Sequence, residues 1–184
     1  MPRYLALLRG INVGGHKKIA MADLREVAAA LGHTDVATYI QSGNVVFSST
    51  ATDVTSLADA LEQEVAARLG VRAAVVVVSE AELAQVIADN PFPDETNHKC
   101  LHAVFRRDEV SKTDIDVVAL AVRRARDSGS RDDALAIGRT LYLRTPDGLG
   151  RSELAARLSR SKVQSAGTAR NWATVTKLME MLGE

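Results

Sequence analysis

Apolar positions along this chain recur at two spacings, every second residue in some stretches and every three to four in others. The switches between them mark out its elements. Arg3 to Arg9, built on the apolar run Tyr4 to Leu8, reads as a buried strand. Met21, Leu24, Val27, Ala28 and Leu31 then fall at helical spacing until Gly32 stops the helix. Val36 to Gln41 and Val45 to Ser48 are two strand-like runs hinged at Ser42-Gly43-Asn44, residue types that favour tight turns. A second helix carries Val54, Leu57, Ala58, Leu61 and Val65 on one face, ends near Gly70 and gives way to the strand Arg72 to Val78. The order is βαββαβ, the ferredoxin-like, split βαβ pattern.

Ser79 and Glu82 have capping-box spacing and open a third helix. It runs to the breaker Asn90-Pro91-Phe92-Pro93, which sets the expected boundary: a subdomain of residues 1–90 with its linking helix, and a second α+β subdomain of residues 91–184. Beyond it, Leu101 to Arg106 reads as a strand. Ser111 with Asp114 can cap a helix whose apolar face is Ile115, Val118, Ala119 and Val122. Ala134 to Ile137 and Thr140 to Leu143 form a second hairpin around Gly138-Arg139, and two helices are expected from about Ser152 and Thr168. The last carries Trp172, Val175, Met179 and Leu182 as a core or interface stripe. The fold class is therefore α+β, with a ferredoxin-like N-terminal subdomain packed with a second, diverged ferredoxin-like one whose final strand the sequence does not reveal.

Composition narrows the class. Of 184 residues, 46% are apolar and 25% charged, which suits a globular chain and excludes disordered and fibrous ones. The first apolar run is too short for a signal peptide or membrane span, and Cys100 is the only cysteine, so the expectation is a cytoplasmic protein without a disulfide or a membrane role. The formal net charge of zero hides segregation: residues 1–22 sum to +4, 151–177 to +5, and 23–150 to −7. If the basic ends meet, they make one positive face.

The chemistry-bearing segment is Arg9-Gly10-Ile11-Asn12-Val13-Gly14-Gly15-His16-Lys17-Lys18, between the first strand and the first helix. Amides freed by glycines at a helix entrance bind anions, and Arg9, Lys17 and Lys18 add charge where the helix dipole is already positive. The segment is not a P-loop. Gly10 and Gly15 have the spacing, but His16-Lys17-Lys18 puts the lysine out of register and supplies no hydroxyl for magnesium. The dinucleotide fingerprint fails as well. Two further glycine-plus-arginine stretches, Gly148 to Ser152 and Ser165 to Arg170, are expected to precede helices, placing Arg in a first turn where an anion would compensate it. The candidate anion-binding set is Arg9, Asn12, Gly14, Gly15, Lys17, Lys18, Gln41, Ser42, Asn44, Arg170 and Asn171.

His98, Cys100 and His102 alternate and would share one face of an extended segment, but structural zinc takes four protein ligands and the nearest further candidates, Asp94 and Glu95, sit in a proline-containing loop, so ordinary surface histidines on a half-buried strand are expected and neither metal nor cofactor. No residue earns a catalytic role. Seven aromatics in the whole chain, and none at the positions where RNA-recognition sheets stack bases, argue against base readout and leave backbone contact open. The expected partner is a phosphate-bearing small molecule or a nucleic-acid backbone. The alternatives are a phosphoester- or nucleotide-processing enzyme using the same pocket, and a protein-interaction module docking through Trp172 and its helix.

Arg9 to Gly15, Tyr39 to Phe47, Asn90 to Phe92 and Thr168 to Trp172 together resemble a bacterial family defined as a domain of unknown function. That resemblance implies an α+β fold with two ferredoxin-like subdomains. It implies no activity and no catalytic residues.

Overall fold

The computed structural model describes residues 1–184, which form two compact units, residues 1–85 with 178–184 and residues 86–177. In the first, β1 (Arg3–Leu8), α1 (Met21–Ala30), β2 (Thr34–Tyr39), β3 (Asn44–Ser48), α2 (Val54–Leu69) and β4 (Val75–Ser79) follow in that order. The sheet is fully antiparallel in the order β2-β3-β1-β4. This is the split βαβ topology expected from the hydrophobic spacing. Alternate residues of β1, Tyr4, Ala6 and Leu8, join Val45, Phe47, Val75 and Val77 beneath Leu24, Val27, Leu57, Leu61 and Val65 of the two helices. Each of the buried Val, Leu and Phe side chains contributes about 1.5–3 kcal/mol by leaving water.

Helix ends follow local chemistry. Asp53 accepts hydrogen bonds from Thr55 N and Ser56 N to start α2, and Gly70 at φ 65° ends it in the left-handed region. The capping box is present at α3 (Glu80–Ala88): Ser79 N donates to Glu82 Oε2 at 2.8 Å, and Glu82 N donates to Ser79 Oγ at 3.2 Å.

The second unit repeats the plan. β5 (Leu101–Arg106), α4 (Lys112–Asp127), β6 (Asp133–Ile137), β7 (Thr140–Arg144), α5 (Glu153–Ser159), α6 (Lys162–Ser165), β8 (Gly167–Asn171) and α7 (Trp172–Gly183) follow in sequence. The sheet order is β6-β7-β5-β8, again all antiparallel. Val104, Leu141 and Leu143 pack with Val118, Val122, Leu154 and Leu158. The short α5–α6 pair takes the place that one long helix, α2, fills in the first unit.

Three expectations are corrected. Thr168 to Asn171 is not helical: it lies in the final strand of the second sheet, so Arg170 sits opposite Ala103 of β5 and not in a helix's first turn. Gly167 admits this strand, because a Cβ there would lie 2.7 Å from the Phe105 carbonyl oxygen. Arg151 belongs to a 3-10 turn, Leu149–Arg151, that precedes α5, and Ser152 Oγ accepts from Ala155 N at 2.8 Å to cap the helix. On α7 the buried stripe is Trp172, Val175, Leu178 and Leu182, with Met179 only half-buried. The last turn of α7 is counted with the first unit, where Arg3 Nη2 donates to Met181 O at 2.9 Å.

Candidate functional site

The segment after β1 leaves the core at Ile11 and returns to it at Ile19, residues 1% and 4% exposed that pin its two ends. Between them the chain doubles back as a miniature hairpin. Val13 bridges His16, whose N–H donates to Val13 O at 3.1 Å, and Gly14 and Gly15 sit at φ 59° and 79°. Two successive left-handed residues are what a type I′ turn requires, so the glycines are needed for conformation as much as for openness. Their amides are exposed and take no partner within the chain.

Asn12 holds this loop shut. It adopts φ 55°, its Nδ2 donates to Ile19 O at 2.9 Å and to Gln41 O at 2.8 Å, and its Oδ1 accepts from Ile19 N at 2.9 Å. One side chain thus ties both arms of the loop to the β2–β3 turn. That turn is docked independently: Leu8 N donates to Gly43 O at 2.8 Å, and a Cβ on Gly43 would lie 2.7 Å from Ile11 Cδ1. Asn44 is fully buried; its amide nitrogen donates to Tyr39 O at 2.9 Å and to Ser42 Oγ at 3.0 Å. Ser42 and Asn44 therefore brace the turn.

The structure brings Asn12, Gly15, Lys18 and Gln41 around one open recess, floored by Ile19 and Ala20. Ala20 is the N-cap of α1 and offers no side-chain acceptor, so the first-turn amides are uncapped, with Asp23 the one acid in that turn. Arg9, Lys17 and Lys18 are exposed and make no ion pair in the chain.

Arg170 and Asn171 belong to the second unit. Arg170 is 7% exposed, donates from Nη1 to Thr168 Oγ1 and Ala169 O at 2.8 Å, and burial pushes its pKa down to about 10. The Oδ1 of Asn171 accepts from Thr174 N at 2.9 Å and starts α7. His98, Cys100 and His102 do not alternate along a strand. The backbone turns at Cys100, whose N–H donates to Asn97 O at 2.8 Å, and only His102 lies in β5. Cys100 is buried with Sγ 3.6 Å from Pro146 O, and burial lowers the His102 pKa.

Sequence reasoning missed the two roles that matter most here, Asn12 as the tie and Gly43 as the packing point for Ile11. An asparagine set among glycines was the available signal, since Asn tolerates the left-handed region.

Residues 1–142 match the family model described as protein of unknown function (DUF1697), and the chain belongs to that family. No curated protein matches the chain. Among solved structures, a conserved bacterial protein from Streptococcus pneumoniae is similar at a TM-score of 0.75 and 24% identity, over 98% of each chain. This likeness bears on the fold alone.

Proposed function

We propose that the chain binds a phosphate-bearing metabolite at the recess between the β1–α1 loop and the β2–β3 turn. The supporting observation is that Gly15, whose amide takes no partner within the chain, Lys18 and Ala20, the N-cap of α1 that offers no side-chain acceptor, line one recess on a loop held in shape by Asn12. Backbone donors of that kind keep their positions when an anion arrives and so cost little reorganisation. Arg9 and Lys17 add long-range attraction, and Gln41 adds a neutral donor at the rim. Ser42 and Asn44 act behind the surface by holding the turn. Arg170 and Asn171 take no part in this reading, which rests on the first unit.

The test is thermal denaturation with inorganic phosphate, sugar phosphates, nucleotides and a short oligonucleotide at constant ionic strength. A metabolite at a hundredfold excess over its dissociation constant stabilises the fold by about 2.7 kcal/mol, and Lys17→Ala with Lys18→Ala should abolish the shift. An oligonucleotide effect that falls steeply with salt would assign the site to a nucleic-acid backbone. Unmoved melting with every ligand would reject the proposal.

A further inference from the structure

The recess beside the β2–β3 turn measures about 420 Å³, inside the range of small-molecule pockets, about 300–1,000 Å³, and larger than a bare phosphate needs. An organic group has room beside the anion. Asn12, Gly15, Lys18, Ile19, Ala20 and Gln41 form the lining, with no carboxylate and no hydroxyl among them. Asn12 commits both of its N–H donors within the chain, one to Ile19 O and one to Gln41 O. With Lys18 facing an anion, only the Gln41 side chain is left to pair with the hydroxyls of a sugar. A polyol gains little there.

Ile40 supplies the opposite chemistry. It precedes Gln41, and Thr38 two positions earlier accepts from Arg25 Nη1 at 2.7 Å, so the end of β2 passes beside the early turns of α1, whose N-cap Ala20 floors the recess. At φ 47°, Ile40 is the one β-branched residue among the four non-glycine residues in the left-handed region, the others being Asn12, Lys17 and Asp35. Its branched Cβ crowds the backbone there, and asparagine, aspartate or glycine would relieve the strain. Packing offsets little of it, because Ile40 is 49% exposed. A strained side chain that the core does not use points to a contact outside the chain. Val13, 66% exposed, follows Asn12 on the other partner of the Asn12–Gln41 bond, so each of the two tied segments carries an exposed apolar side chain.

We infer that the ligand of this recess is a phosphate ester of an apolar alcohol, and that Ile40 contacts its organic part. The inference rests on the phosphate site proposed above and adds the class of ester. The phosphate lies at Gly15 and Lys18, and the organic group leaves water against Ile40. Ile40 thereby selects such esters over sugar phosphates of equal charge.

Calorimetric titration of the full chain with phenyl phosphate, glucose phosphate and inorganic phosphate, at constant ionic strength and at an alkaline pH where all three are dianions, tests this. Phenyl phosphate should bind about tenfold or more tightly than glucose phosphate. In Ile40→Asn the ratio of phenyl phosphate affinity to inorganic phosphate affinity should fall about fivefold, while the melting temperature holds or rises because asparagine tolerates the left-handed backbone. Equal affinities for the two esters, or a ratio that Ile40→Asn leaves unchanged, overturns the inference and leaves the phosphate site standing. A variant that melts well below the parent also overturns it, since Ile40 would then serve the fold. Absence of binding by all three probes removes the site and the inference together.

Discussion

Asn12→Ala isolates the element on which the loop depends. It deletes three hydrogen bonds of 2.8–2.9 Å, two to Ile19 and one to Gln41 O, and it places alanine at φ 55°. Intramolecular bonds contribute about 0.5–1.5 kcal/mol each in net terms, and the half-buried groups left behind regain part of that from water. The left-handed backbone costs alanine about 1 kcal/mol more, a strain that asparagine relieves locally. Together these give an expected loss of about 2–3 kcal/mol. Asn12→Gly separates the two contributions: it forfeits the same bonds but not the backbone preference, and should lie about 1 kcal/mol above the alanine variant. Urea denaturation with unchanged m-value is the assay. An alanine variant within about 0.5 kcal/mol of the parent would show that Asn12 does not hold the loop.

Other consequences follow from buried positions. Gly167→Ala brings a methyl to 2.7 Å from both Phe105 O and Val104 Cγ1, and should cost about 1–3 kcal/mol in the same assay as β8 is pushed from β5; a neutral result would refute the close approach. His33 is stacked on Phe47 at 4.4 Å, its Nε2 is buried without a partner, and burial lowers its pKa from the ordinary 6.5. The unfolded chain therefore binds the proton more readily. Stability is fully present above about pH 6.5 and is lost as pH falls through the lowered folded value. His33→Phe keeps an aromatic ring against Phe47 and should flatten that part of the pH–stability curve, and an unchanged slope would remove His33 as a cause.

What the sequence made legible follows the strength of its periodic signals. β1, α2 and the two hairpins carry apolar residues at clean spacing and strong punctuation at Gly70 and Gly138-Arg139, and they lie close to where the pattern puts them. β8 carries none. Gly167-Thr168-Ala169-Arg170-Asn171 has no alternating hydrophobic face, because what seats it is the absence of a side chain at Gly167 and the burial of Thr168 and Arg170 beside β5. Such burial of polar groups is invisible to a hydrophobic pattern. β2 begins two residues earlier than its apolar run, at Thr34, where a register shift before Ala37 and the left-handed Asp35 accommodate polar residues. The loop's glycines were readable as a tight exit from the buried strand. Its closure was not, since the bonds from Asn12 to Gln41 O and Ile19 join residues 29 and seven positions away.

The most direct test of the account is amide chemical-shift mapping of the isotopically labelled chain during a titration with inorganic phosphate. Saturable shifts should centre on Gly14, Gly15 and Lys18, extend to the first amides of α1 and to Gln41, and vanish when Lys17 and Lys18 are both replaced by Ala. Shifts that map to another surface, or a spectrum that phosphate leaves unchanged, would contradict an anion site at this loop.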